Sequence, residues 1–556
     1  MKRNGAQIVC ESLVRLGVDT IFGIPGGTVL DLYDVLPQYP QLKHILVRHE
    51  QAAAFAADAY SRATGRVGVA LVTSGPGATN TVTGIANAMM DSSGFVVITG
   101  NVSQAMMGTD AFQECDITGV TLPITKHNFL IEDVKDIARN IKEAFHIAGT
   151  GRRGPVLIDI PRNLFGEEME FVWPDKVDLP GYKPTRSGHA RQIRQAADVI
   201  NAAKKPVILA GHGVICSQAY RQLLAFAEKA DIPVISTLMG TSAFPRSHRL
   251  DYGMPGMHGM AYANYAITNS DVLIGIGMRF DDRVTQKISS FAPNAKIVHI
   301  DIDPAEIGKN VKVFTPIVGD VAPVLDALIE QVDQACHCEW TEQIDHWKRE
   351  HPLAAPQPAT PLPTPYLIKL LSDITHGEAS ITTDVGQHQM WAAQYYWFNR
   401  PNTLFTAGGL GAMGFGLPAA MGVAAGRPGE DVWAILGDGG FMMTMQELAT
   451  LAETQLPVKI LLINNSTLGM VHQWQNIIYQ SNYVHVNFTR HPDFVKLGEA
   501  FGIPTWRATT ADEYEYGLRQ VAETPGPAMI EAVTLASENV YPMVRRGHGI
   551  AEMIEA

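Results

Sequence analysis

VWAILGDGGFMMTMQELATLAETQLPVKILLINN, residues 432–465, reads as four elements in succession. VWAIL is a continuous apolar run of strand length, GDGG a tight turn, FMMTMQELATLAE a helix, and VKILLI the next strand, ending in Asn464-Asn465. Between Gly439 and Asn464 lie 24 residues, room for one helix and one strand. Such a unit builds a parallel sheet, and parallel sheets bind ligands beyond the carboxyl ends of their strands. Asp438 and Asn465 both fall at that edge, on successive strands.

The same kind of run recurs along the chain. VGVALVTS (67–74), GFVVITG (94–100), PVLIDI (155–160), PVILAG (206–211), DVLIGIG (271–277) and KIVHIDI (296–302) are apolar without alternation, and longer Ala-rich segments separate them. Strands of that composition are buried on both faces, so helices cover both sides of each sheet. The fold class is α/β, built from doubly wound parallel sheets. Residues 164–190 are polar and aperiodic, and residues 351–365 carry six prolines that neither helix nor central strand tolerates. The expected domains are therefore 1–163, 190–340 and 365–545. The outer two echo one another. VALVTSGPGATNTVTGIANAMMDSSGFVVITGN (69–101) and residues 433–465 are both 33 long, and they align Ser74 with Asp438, Gly75 with Gly439 and Asn101 with Asn465. Any strand–helix–strand unit has about this length, but a duplication explains the aligned turns as well.

Composition narrows the function. The chain has 556 residues, 46% of them hydrophobic, and a formal charge of −13 with no Lys/Arg block. That balance disfavours binding to nucleic acid or to an anionic membrane. No apolar run approaches the roughly 18 residues of a membrane-spanning helix. Gln7, Glu11 and Arg15 interrupt any signal-like core near the start, so the opening reads as an amphipathic helix. Of five cysteines only Cys336 and Cys338 lie close together, too few for a disulfide scaffold or a zinc site, and a reducing cytoplasm is expected.

The chemistry concentrates at the strand ends. An Asp carboxylate and an Asn carbonyl are hard oxygen ligands suited to Mg²⁺, and a helix start offers amides to phosphate oxygens. Alone, Asp438 would be a helix cap and Asn464-Asn465 a turn. Together, at this spacing, they point to a metal-clamped diphosphate. Upstream, Gly409-Leu410-Gly411-Ala412-Met413-Gly414 fits G-x-G-x-x-G and leaves a dinucleotide fingerprint open as an alternative.

G-D-G followed by N-N at this distance resembles the signature of thiamine-diphosphate enzymes. The resemblance implies that Asp438 and Asn465 hold the metal with their side chains and Thr467 with its main-chain carbonyl. It also implies that Gly386-Gln387-His388 and Gly437 to Gly440 contact the diphosphate, that Gly411 accepts from the aminopyrimidine, and that Met413 props the coenzyme into a bent shape. A carboxylic acid must also hydrogen-bond the pyrimidine, and such a bond is strongest in a water-poor pocket. Glu50, in RHEQAAAFAADA (48–59), matches that acid and opens a helix with six alanines between 52 and 59. In the family this acid and the diphosphate site come from different subunits, which implies a dimer.

FGIPGG (22–27), SGPGATN (74–80), GTDAFQE (108–114), ITKHN (124–128), GRRGPVLIDIPR (151–162), GMHG (256–259), MRFDDRVT (278–285), HIDIDPAEIGKN (299–310) and GMVHQWQ (469–475) follow in order. Over nearly the whole chain the sequence resembles the catalytic subunits of acetohydroxyacid (acetolactate) synthases. The resemblance implies transfer of a hydroxyethyl unit from pyruvate to a second pyruvate or to 2-ketobutyrate, in branched-chain amino-acid biosynthesis. It places Gly27 and Gln113 near the reacting carbon, and Phe112, Arg162, Met470 and Trp474 along the substrate channel. It gives the middle domain an FAD, contacted by Arg152, His258, Gly259, Arg279, Asp301 and Asp320. A homodimer or tetramer is implied, and a small regulatory subunit is left open. Arg162 stands where the family usually has Lys, Gly94 where it has Pro, and Met260 where a small polar residue is usual. Glyoxylate carboligase and pyruvate oxidase are the alternatives within the flavin-bearing branch. Glu50 counts against the first, which lacks that acid.

Overall fold

The computed structural model describes residues 2–555. Each expected apolar run is a parallel strand, and the strands assemble into three sheets. The first sheet contains Thr20–Gly23, Lys43–Leu46, Gly68–Val72, Phe95–Asn101, His127–Leu130 and Val156–Pro161. Numbered along the chain, their order across the sheet is 2-1-3-4-6-5. The third sheet contains Ser380–Thr383, Leu404–Phe405, Val432–Gly437, Val458–Asn464, Thr505–Ala508 and Ala528–Val533, in the same order. The middle sheet has five strands, Pro206–Ala210, Val234–Ser236, Val272–Ile276, Lys296–Asp301 and Thr315–Val318, ordered 2-1-3-4-5. The central strands of every sheet are buried along nearly their whole length, as continuous apolar runs require.

The outer domains meet through two helices. Glu50–Thr64 buries its alanines against Gly416–Gly426, and one core runs through both. Small residues allow the contact. A Cβ on Gly422 would sit 2.1 Å from the Ala56 carbonyl oxygen. The opening segment is the amphipathic helix Gly5–Arg15, capped by Asn4 and buried through Ile8, Val9 and Leu13.

Four features differ from the sequence reading. The segment after 163 is not wholly irregular, because Glu168–Glu170 pairs antiparallel with Lys2–Asn4, setting acidic residues beside basic ones. Phe171, Trp173 and Leu179 then pack on the first core. Helix Cys338–Glu350 runs past residue 340, with Trp340 and Ile344 buried among residues of the middle domain. The expected single helix after GDGG is broken into Asp438–Thr444, a 3₁₀ turn Met445–Glu447, and Leu448–Thr454. Finally, Cys336 and Cys338 are joined to one another, where fully reduced cysteines were expected. Only His337 separates them, and its backbone N–H donates to Asp231, so the turn brings both sulfurs to one side. Among the described residues no helix is long and apolar enough to cross a membrane.

Candidate functional site

The third domain gathers three loops at the carboxyl ends of its strands. Asp438 follows the central strand and opens helix Asp438–Thr444. Its Oδ1 accepts from Gly439 N at 2.9 Å, while Oδ2 is buried and has no hydrogen-bond partner. The ring of His491 stands 3.3 Å from Oδ2, but burial lowers that histidine's pKa and it brings no compensating charge. Burial accordingly pushes the Asp438 carboxyl up to about 7. A buried carboxylate with a free oxygen fits a cation. The next strand ends in two asparagines with different duties. Asn464 is spent on structure, donating to Glu531 at 2.8 Å and accepting from Ser466 N. Asn465 reaches the loop, where its Oδ1 meets only Thr467 N at 3.2 Å. Ser466, at φ +57°, turns the chain there. The donors Asp438, Asn465 and the Thr467 carbonyl are all hard oxygens, which fits Mg²⁺.

The loop expected to cradle a diphosphate is equally constrained. His388 hydrogen-bonds the Asp384 backbone, leaves Nε2 buried without a partner, and is held neutral by burial, which pulls its pKa down to about 4. A Cβ on Gly386 or on Gly437 would come to 3.0 Å from that ring, so a side chain at either position would press on His388. Gly411, at φ +71°, opens onto free space, with only Val385 Cγ1 3.9 Å from where a Cβ would stand. Met413 Cε comes within 3.6 Å of the equivalent point on Gly439, bringing that side chain over the same loop. Gln387 donates to Gln473 Oε1 at 2.9 Å and to the Glu538 carbonyl, tying the cradle to the helix of Met470 and Trp474.

Asp384 organises these loops, and nothing in its local sequence marks it. Its carboxylate is buried and accepts from Val385 N at 2.8 Å, from Gly414 N at 3.0 Å and from Gly416 N at 3.1 Å. Burial, only partly offset by these amides, lifts its pKa to about 6. Gly408 N and Gly409 N are likewise taken, by the carboxylate of Asp91. Those two amides are therefore unavailable to a pyrophosphate, which counts against the dinucleotide reading of G-x-G-x-x-G.

The first domain carries a separate group. Glu50 is the first residue of its helix, with His49 as cap, and its Oε2 accepts from Asn80 Nδ2 at 2.9 Å. Gly77 lies against its Oε1. Gln113, at φ +62°, rests on the turn at Gly75. Gly27 is exposed, Phe112 is 89% exposed, and Arg162 is half exposed with its guanidinium 3.8 Å from Asp31. None of these five residues lines the large cavity described next.

That cavity, about 720 Å³, lies between the three domains. Arg152, His258, Arg279, Asp301 and Asp320 line it, together with Gly386, Gly411, Met470 and Trp474 of the third domain. Arg152 is fixed by Ser92, Asp303 and Glu306, and burial lifts Asp301 to about 6. His212 and His258 each leave Nδ1 buried and unpaired, and burial holds them neutral. Gly259 is off the wall, closing a tight turn against Pro255 and Gly256. A large cavity lined by charged side chains and unpaired imidazole nitrogens fits a dinucleotide such as FAD. Sequence reasoning missed Asp91, His212, Asp384 and His491, which reach the site only through tertiary contacts.

Three family models match the chain: thiamine pyrophosphate enzyme N-terminal TPP binding domain over residues 3–120, central domain over 193–328, and C-terminal TPP binding domain over 384–532. A protein of Mycobacterium bovis named acetolactate synthase is 50% identical, covering 98% of this chain and 90% of its own. The acetolactate synthase large subunit of Corynebacterium glutamicum is 48% identical, over 98% and 89%. The acetolactate synthase isozyme 3 large subunit of Escherichia coli strain K12 is 44% identical, over 99% and 98%. With three domain models in order and such identity from end to end, the chain belongs to the acetolactate synthase family of thiamine pyrophosphate enzymes.

Proposed function

We propose that the chain joins a hydroxyethyl unit from pyruvate to pyruvate or 2-ketobutyrate, yielding 2-acetolactate or 2-aceto-2-hydroxybutyrate. The observation that carries the site assignment is the unpaired Oδ2 of buried Asp438 beside Asn465 on the next strand end. Mg²⁺ held by Asp438, Asn465 and the Thr467 carbonyl would fix the diphosphate against Gly386 to His388 and Gly437 to Gly440. Thiamine diphosphate, once bound, supplies the electron sink for loss of CO₂. Gly411 and Met413 would orient the pyrimidine, and Glu50 would hold a proton at its ring nitrogen. Glycine backbone at Gly27, with Gln113, would face the developing oxyanion. Phe112, Arg162, Met470 and Trp474 would line the approach of the 2-keto acids.

Decarboxylation followed by addition changes no net oxidation state. FAD in the three-domain cavity would therefore serve structure, bracing Arg152, His258, Arg279, Asp301 and Asp320. Glu50, Gln113 and the exposed Phe112 are all absent from the walls of the cavity in their own chain. That separation supports a homodimer in which the first domain of one copy completes the site of the other. The large-subunit names of the relatives support a small regulatory partner as well. The test is a colour assay for acetolactate with thiamine diphosphate, Mg²⁺ and FAD omitted in turn. Omitting either of the first two should abolish product. Undiminished product without them would reject the proposal.

A further inference from the structure

Two buried carboxylates join the outer domains, and they do so reciprocally. Glu447, in the 3₁₀ turn that breaks the helix after Asp438, is fully buried. Its Oε1 crosses to the first domain and accepts from Arg48 N at 2.9 Å, and the His49 amide also points at the carboxylate. Its Oε2 is held by Thr450 Oγ1 at 2.7 Å, and Arg48 is tied again by Glu453. The residue after this clasp is Glu50. In the other direction, Asp91 ends helix Val82–Asp91 of the first domain and is also buried. Its Oδ1 accepts from Gly409 N at 2.6 Å, and its Oδ2 accepts from Gly408 N at 3.2 Å and from Arg62 Nη2 at 3.1 Å. Arg62 lies on the helix of Glu50 and donates to the Thr406 carbonyl at 2.9 Å. Two residues beyond this clasp is Gly411.

The symmetry is topological. Residues 48–49 and 408–409 each follow the second strand of their sheet, and each carboxylate comes from the crossover between the third and fourth strands of the other sheet. Bonds between domains need no carboxylate aimed at the two amides beside the pyrimidine-facing residues, so interdomain adhesion alone does not account for the placement. We propose that Glu447 and Asp91 are positioning residues: Glu447 sets the backbone that aims Glu50, and Asp91 sets the backbone that aims Gly411. The inference rests on the thiamine reading above. Misplacing a reacting group by about 1 Å costs on the order of 100-fold in rate.

The test is made on the assembled full-length chain loaded with Mg²⁺ and thiamine diphosphate. Two readouts are taken: coenzyme affinity by intrinsic fluorescence titration, and the rate of deuterium exchange at the coenzyme C2 position by quenched NMR. Glu447→Ala should slow exchange by at least about tenfold, with affinity within about twofold of the parent, because the diphosphate anchor is untouched. Glu447→Gln keeps a carbonyl for Arg48 N and should restore exchange. Asp91→Ala should weaken affinity by about tenfold, since Gly411 loses its anchor. If Glu447→Ala does not fold, Glu447→Asp, which retracts the carboxylate by one methylene, takes its place with the same expectation. Parental exchange in the Glu447 variant, exchange and affinity lost in proportion, or failure of Gln to rescue each overturns the inference. Glu50→Gln is the control. If it exchanges like the parent, the thiamine assignment of Glu50 fails instead, whatever the Glu447 variants do.

Discussion

The first and third domains share one strand order and differ in what stands at the strand ends. After the third strand the first domain has Ser74-Gly75-Pro76-Gly77, and the third has Gly437-Asp438-Gly439-Gly440. After the fourth strand the aligned asparagines diverge. Asn101 is consumed inside its sheet, donating to Asp159 at 2.5 Å and accepting from Val102 N. Asn465 is left facing a loop beside a carboxylate with a free oxygen. The repeated frame supplies an edge where ligands can bind, and under the proposed reading one acid together with one released asparagine would turn that edge into a cation and diphosphate site. The first domain spends its edge on Glu50 instead.

The largest effect that would break this contrast comes from Glu50. Replacing it with Gln should lower acetolactate formation by about 10³-fold, while coenzyme binding, carried by the third domain, changes little. Product assay and fluorescence titration on the same preparation check both halves. Next come the anchors: Asp438→Asn or Asn465→Ala should weaken Mg²⁺-dependent coenzyme binding at least about 100-fold, above the loss typical of an outer-shell partner. Calorimetric titration at fixed coenzyme measures it.

How much of this was legible in the sequence follows from which contacts are local. The strands read directly, because a strand buried on both faces is an unbroken apolar run. Asp438 and Asn465 read from spacing, since one helix and one strand fix where both must end. Glu50 needed its resemblance to a known motif, because a glutamate opening a helix is ordinary. Asp384, Asp91 and Glu447 were illegible. Each acts on backbone amides far away in the chain, and an amide has no signature in a sequence. The break at Met445–Glu447 escaped for the same reason, as Glu447 answers to the Arg48 amide of the first domain as well as to Thr450 of its own segment. The Cys336–Cys338 bond escaped because the two cysteines, although seen to lie close together, were judged too few for a disulfide scaffold.

Two smaller effects sharpen the contrast. Gly422→Ala would drive a Cβ into the Ala56 carbonyl where the two domains' helices meet, and should destabilise the fold by about 3 kcal/mol, read by denaturant unfolding. Asn101→Ala should cost about 2 kcal/mol of stability by leaving Asp159 under-satisfied, yet leave coenzyme affinity unchanged. Asn465→Ala should do the reverse, keeping the melting temperature and losing the coenzyme. Aligned residues with opposite phenotypes would show that the frame and the chemistry are separable.

The most direct measurement is a crystal structure of the chain grown with Mg²⁺ and thiamine diphosphate. The account expects the metal on Asp438, Asn465 and the Thr467 carbonyl, with the Glu50 carboxylate of a neighbouring copy hydrogen-bonded to the pyrimidine. A metal bound elsewhere, or a pyrimidine that no copy's Glu50 reaches, would contradict it.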